Sequence, residues 1–226
     1  MKIKSILSLL GLLALTGWSQ TLTGSFTNST VTAIPDGSPV GVMEQFTVSS
    51  LSGSISNVSV TLDITGGFNG DLYAYLVDPQ GQLVVFLNRP GVTGSNPFGY
   101  ADSGMNITLD GLAANNIHDY ASGGSGSYSL SGTTWAADGR NVNPLAAGSI
   151  LYGTPTTANL SLFQNADANG VWTFFIADLG AGGGTASLNN VILTIMTVPE
   201  PQTWVMVGGG LALLGLFRQR NNRWSR

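Results

Sequence analysis

Hydrophobic residues along this chain come in short runs that alternate with polar ones and are separated by clusters of Gly, Ser, Asn and Pro. The clearest run is Val58-Ser59-Val60-Thr61-Leu62-Asp63-Ile64, with four apolar side chains on one face and three polar ones on the other. A period of two is the signature of a half-buried β-strand. Met105-Asn106-Ile107-Thr108-Leu109 repeats it, and further strands are predicted over residues 42–48, 72–77, 83–87, 160–163, 171–177 and 188–197. These strands, with no amphipathic helix among them, predict an all-β fold, a jelly-roll-type β-sandwich.

Two stretches of the body lack this periodicity. Residues 20–41, which contain Pro35-Asp36-Gly37, read as an N-terminal arm or edge strand. Residues 119–158 carry Ser-Gly repeats followed by Trp135, Arg140, Pro144 and Pro155, and read as a long irregular connection. Connections of that length inside compact domains are commonly functional or mobile. No repeat at solenoid or propeller spacing is present, which favours one unit over residues 42–197.

The ends follow different rules. Lys2 and Lys4 precede an apolar segment over residues 6–16, and then Gly17-Trp18-Ser19 places small residues three and one positions before Gln20. That is a secretory signal peptide over residues 1–19, cut by signal peptidase between Ser19 and Gln20. At the other end Pro199-Glu200-Pro201 precedes an apolar run over residues 203–217 and then Arg218, Arg220, Arg223 and Arg226. Each proline lacks an amide donor and biases the residue before it toward extended backbone, which exposes the strip to a protease. The apolar run would span roughly 22 Å as a helix, short of the roughly 30 Å of bilayer hydrocarbon. The arginines put the C-terminus in the cytoplasm by the positive-inside rule, so the body faces outward.

Composition sharpens this picture. The chain has no cysteine, so an exported body of about 180 residues would draw its stability from a core or from bound ions. Six of the eight basic residues lie in the terminal segments, leaving Arg89 and Arg140 against eleven acids, a body charge near −9. Such a body repels nucleic acid and anionic lipid and attracts divalent cations.

Candidate chemistry is sparse. The single histidine, His118, stands next to Asp119, but neighbouring side chains on a strand point to opposite faces and no Gly-x-Ser-x-Gly elbow supplies a nucleophile. A structural or exposed His118 is therefore expected. One histidine without cysteine also excludes a zinc site of the nitrogen and sulfur type. Asn165-Ala166-Asp167-Ala168-Asn169-Gly170 matches the opening of an EF-hand loop but has Ile176 where a bidentate glutamate is needed, so it reads as a polar turn. Tyr73, Tyr75, Phe98, Tyr100, Tyr128 and Trp135 are candidates for a glycan platform, whereas Trp172 and Phe174 read as core. The Asn-x-Ser/Thr triplets at Asn28, Asn57, Asn106 and Asn159 are formal glycosylation acceptors that arise readily in so Asn-, Ser- and Thr-rich a chain.

The tripartite tail over residues 198–226 resembles the PEP-CTERM sorting signal, which implies processing by the membrane protease exosortase near Pro199-Glu200-Pro201. An ordinary single-pass anchor is the alternative, and of the two only processing predicts a mature form without the arginines. In the body, Phe68-Asn69-Gly70-Asp71-Leu72 running to Asp78-Pro79-Gln80-Gly81 resembles a block of the P-domain, the β-sandwich module of proprotein convertases and bacterial subtilisin-like proteases. Asn106 to Asp110 with Ile117-His118, then Gly170-Val171-Trp172 to Asp178, then Gly184 to Leu188 with Val191 to Ile195, resemble further blocks in the same order. Family members usually follow a protease domain. No catalytic segment precedes the blocks here, so the resemblance implies fold support or binding rather than proteolysis.

Asp71 at the entrance of one predicted strand and Asp178 at the exit of another form a candidate calcium pair, loosely implied by the resemblance. Turn capping by the same two aspartates is the competing explanation. No other cofactor is called for. The sequence thus predicts an exported, non-enzymatic protein of the bacterial envelope, cell surface or extracellular matrix, transiently anchored in the inner membrane and structural or adhesive in role. Extracellular polysaccharide is the expected partner class. A carbohydrate-binding module and an accessory or remnant P-domain of a protease system are the alternatives.

Overall fold

The alternating runs form strands because each can turn its apolar face to a common interior while its polar face meets water. The structure is a computed structural model that describes residues 21–122 and 130–199. The signal segment with Ser19 and Gln20, Tyr128, and the tail from Glu200 onward, Pro201 and residues 203–217 included, lie outside the described residues. No helix among the described residues is long and apolar enough to cross a membrane.

Among the described residues there are ten strands: β1 Leu22–Asn28, β2 Thr32–Ile34, β3 Ser38–Val48, β4 Ser54–Thr65, β5 Leu72–Val77, β6 Leu83–Asn88, β7 Met105–Asp110, β8 Ser131–Trp135, β9 Gly170–Asp178 and β10 Ala186–Val198. One sheet has the order β1-β10-β4-β7-β8, with β2 also pairing β10, and the other the order β3-β9-β5-β6. All pairings are antiparallel except β7 with β8. Val58, Val60, Leu62 and Ile64 of β4 share one core with Leu72, Ala74 and Leu76 of β5 and with Trp172, Phe174 and Ile176 of β9. The two sheets are therefore the layers of a β-sandwich. Burying each large apolar side chain contributes about 1.5–3 kcal/mol, and the Trp172 indole N–H is satisfied by donating to the Ala168 carbonyl at 2.8 Å.

The structure revises one stretch and adds elements to two others. Residues 160–163, expected as a strand, form a 3-10 helix, Leu160–Phe163. The Asn159 side chain accepts from the Ser161 N–H, while Leu160 and Phe163 are both buried. Residues three apart eclipse in a 3-10 turn, so Phe163 reaches Trp172 edge-on at 5.1 Å. Residues 21–41 hold β1, β2 and the start of β3, with β1 at the sheet edge. β3 begins at Ser38 because the chain bulges before Val42, and Gly41, at φ 59°, sits where a Cβ would lie 2.3 Å from the Ile176 carbonyl oxygen. The 119–158 connection contains β8 and a short helix, α1 Gly148–Gly153. Its middle lies along β6 through hydrogen bonds from the Asp138 and Gly139 amides to Phe86 and Val85.

Candidate functional site

Asp71 closes a 3-10 turn, Asn69–Asp71, that leads directly into β5, and Asp178 is the last residue of β9. The turn is held by the Asn69 and Gly70 amides donating to the Asp102 and Tyr100 carbonyls, both at 2.8 Å. β5 and β9 are neighbours, with Leu72 opposite Asp178, and the Leu179 N–H donates to the Asp71 carbonyl at 2.9 Å. The fold thus brings together the two aspartates singled out in the sequence. Gly180 is essential to the approach, since a Cβ there would stand 2.1 Å from Asp71 Oδ1.

A third acid joins them. Asp36, in the exposed turn between β2 and β3, accepts from the Gly182 N–H at 3.4 Å, so the glycine-rich loop after β9 lies between it and the strand ends. Nothing in residues 20–41 singled Asp36 out beyond its Pro-Asp-Gly turn.

The electrostatics of the pair are unequal. Asp71 is served by Arg89, whose left-handed backbone (φ 53°) places Nη2 3.6 Å from Asp71 Oδ1 while Nε donates to the Gly70 carbonyl. Burial raises the Asp71 pKa, Arg89 opposes that, and Asp36 adds to it. Asp178 is fully buried, and neither carboxylate oxygen has a hydrogen-bond partner. Its pKa is pushed up to about 6, first by burial, then by Asp71 and Asp36, with the Gly180 N–H offsetting part of the rise without reaching hydrogen-bonding geometry. No ion pair among the described residues reaches Asp178.

His118 occupies a different environment from the one its sequence neighbour suggested. Its Nδ1 meets Asp138 Oδ2 at 2.6 Å, its Nε2 meets the Val92 carbonyl at 3.1 Å, and the ring is fully buried. Asp138 in turn accepts from Arg140 Nη1 at 3.0 Å, while the Arg140 guanidinium lies 5.3 Å from the centre of the Tyr152 ring. A histidine beside a carboxylate is the arrangement of a general base, but Nε2 faces a carbonyl rather than a hydroxyl and no surface exposes it. The cluster cross-links the long connection to the strand edge instead.

The candidate aromatic residues separate. Tyr120 packs against both Tyr100 and Trp135, and its hydroxyl donates to Asp102 Oδ2 at 3.1 Å. Phe98 is exposed alone. Tyr73 and Tyr75 lie on the outer face of β5, half-buried, and Tyr75 stacks on Phe175 of β9 with ring centres 5.0 Å apart. The EF-hand-like segment is a polar turn, in which Asp167 Oδ1 accepts from the Asn169 amide at 3.0 Å and from its side chain at 2.7 Å. Those bonds hold the Asp167 pKa below its usual value.

No family model matches the chain, and no curated protein matches it. Among solved structures it is similar to the serine protease of Aeromonas sobria, with TM-score 0.44 and 10% identity over 79% of this chain and 27% of that one. The same protease in complex with the chaperone ORF2 gives the same values. The match spans only about a quarter of the protease's length, and a TM-score of 0.44 at 10% identity carries no argument about function.

Proposed function

We propose that this chain is an exported, non-enzymatic component of the bacterial envelope or extracellular matrix, a β-sandwich of jelly-roll type cut at both ends. Signal peptidase acts before Gln20, and exosortase acts near Pro199-Glu200-Pro201. The observation that supports this most is the extent of the compact body, Thr21–Pro199. Both predicted cuts fall at its borders, since β1 begins at Leu22 and β10 ends at Val198. A cut inside β10 would instead break the ladder to β1, β2 and β4. The excess of acids over arginines in the body and the burial of His118 agree with a structural or adhesive role rather than catalysis.

A second reading, glycan binding, is favoured by the outward pair Tyr75 and Phe175, because stacked rings on an open sheet face suit the apolar side of a sugar. The export reading is tested by fractionating cells that carry or lack exosortase. The protein leaves the inner membrane in the first background and is retained there in the second; equal distribution in both contradicts the proposal.

A further inference from the structure

A strand at the rim of a sheet presents a row of unpaired N–H and C=O groups, and folded proteins blunt such rims with charge, proline, bulges or a covering segment. Three rim strands of this sandwich are blunted. β3 carries Pro39, Glu44 and a bulge before Val42. β6 is covered by the Asp138 and Gly139 amides, which donate to the Phe86 and Val85 carbonyls at 3.0 and 2.9 Å. β8 is five residues long, with Gly132 in left-handed backbone at φ 68° and a register shift against β7. β1 has none of these devices. Its seven residues pair with β10 in unbroken register and contain neither proline nor charge, and among the described residues their open side has no backbone partner.

The absence of charge is local. The eleven acids of the body all lie between Asp36 and Asp178, yet β1 and its neighbour β10 carry no ionisable side chain. Glu44, the acid that the end of β1 does reach, accepts from Asn28 Nδ2. Two copies of this acidic body can therefore meet at the β1 rim without opposing their carboxylates.

We propose that β1 pairs antiparallel with β1 of a second copy, centred on Ser25, so that the β1-β10-β4-β7-β8 sheets of the two copies join into one across a two-fold axis. Directly opposed residues of an antiparallel pair share a face, so the pairing must be centred on a residue, and Ser25 is the centre that keeps all seven positions paired. On the exposed face Thr23 then meets Thr27 and Ser25 meets Ser25, where opposed hydroxyls hydrogen-bond. On the inner face Leu22 meets Asn28, and the half-buried Phe26 meets Gly24, so the two rings are not forced together. The strand is thus its own complement in register, face and charge. That match favours a second copy over an unrelated extended segment. A two-fold pairing also closes on itself and leaves β1 no open side for further growth. Seven residues make a small contact beside a standard protein interface, so the dimer is weak and depends on concentration. The pairing is independent of the proposed export route, and either can fail without the other.

The test uses the full-length chain in detergent. Its sedimentation mass, corrected for bound detergent, rises with concentration toward twice that of one copy. Ser25→Lys, at a position exposed in the single copy, sets like charges directly opposite each other and holds the mass at one copy, with an unchanged urea midpoint showing that the fold is kept. A second readout uses the absence of cysteine from the chain. Ser25→Cys introduces the sole thiol, and opposed Cα atoms in an antiparallel pair stand about 4.5–5.5 Å apart, within disulfide reach. Mild oxidation therefore links two copies of this variant, whereas Thr47→Cys, exposed on β3, stays unlinked. A mass of one copy at every concentration, together with no linkage through Ser25→Cys, overturns the proposal. A dimer that persists in Ser25→Lys, or equal linkage through Thr47→Cys, overturns the assignment to β1.

Discussion

His118 sits where two acceptors converge, the Asp138 carboxylate and the Val92 carbonyl; its removal takes a partner from each, although Arg140 and the Asn88 N–H still reach Asp138. His118→Ala leaves a cavity and an unsatisfied Val92 carbonyl, while Arg140 still compensates Asp138, so it is expected to cost about 2–4 kcal/mol in urea unfolding. An unchanged midpoint would contradict the cross-linking role. The sequence placed Asp119 beside this histidine, yet the working partner is Asp138, twenty positions along the chain. Pairing across a connection without regular periodicity leaves no local signal. Asp71 and Asp178 were legible for the opposite reason, since each borders a strong strand pattern whose register carries it to the other. Asp36 was not, because its position depends on how the loop after β9 folds back over the β2–β3 turn.

At the scale of elements, strands with sustained alternation were legible and short or polar ones were not. β4, β5, β7 and β9 follow their period-two patterns closely, whereas β8, Ser131–Trp135, is short, polar and paired in parallel, so its sequence resembles a loop. Leu160–Phe163 shows the ambiguity of a four-residue apolar run, which suits a strand or a helical turn equally until its flanks decide. Asn159 decides here by capping the turn. The two conformations bury different residues: a strand would pair Leu160 with Leu162, while the 3-10 turn buries Leu160 and Phe163 and leaves Leu162 44% exposed. Phe163→Ala is therefore expected to cost about 3–5 kcal/mol, and Leu162→Ala about 0.5 kcal/mol or less, in the same urea titration. Equal losses at the two positions would contradict the helical turn.

Across the whole molecule, the alternation pattern correctly implied two apolar-faced sheets and a shared core, because each predicted face has a facing sheet to cover it. Which strand lies beside which was not legible, since the order β1-β10-β4-β7-β8 joins strands far apart in sequence through contacts that no local pattern encodes. We propose that this β-sandwich, whose compact body runs from Thr21 to Pro199, is delivered outward and trimmed at both borders of that body. Intact-mass measurement of the protein recovered from its native envelope and culture medium tests this proposal. A species beginning at Gln20 and ending between Pro199 and Pro201, with or without an attached carrier group, is the predicted result; a species that begins at Gln20 but extends to Arg226 would contradict it and make the tail a permanent anchor.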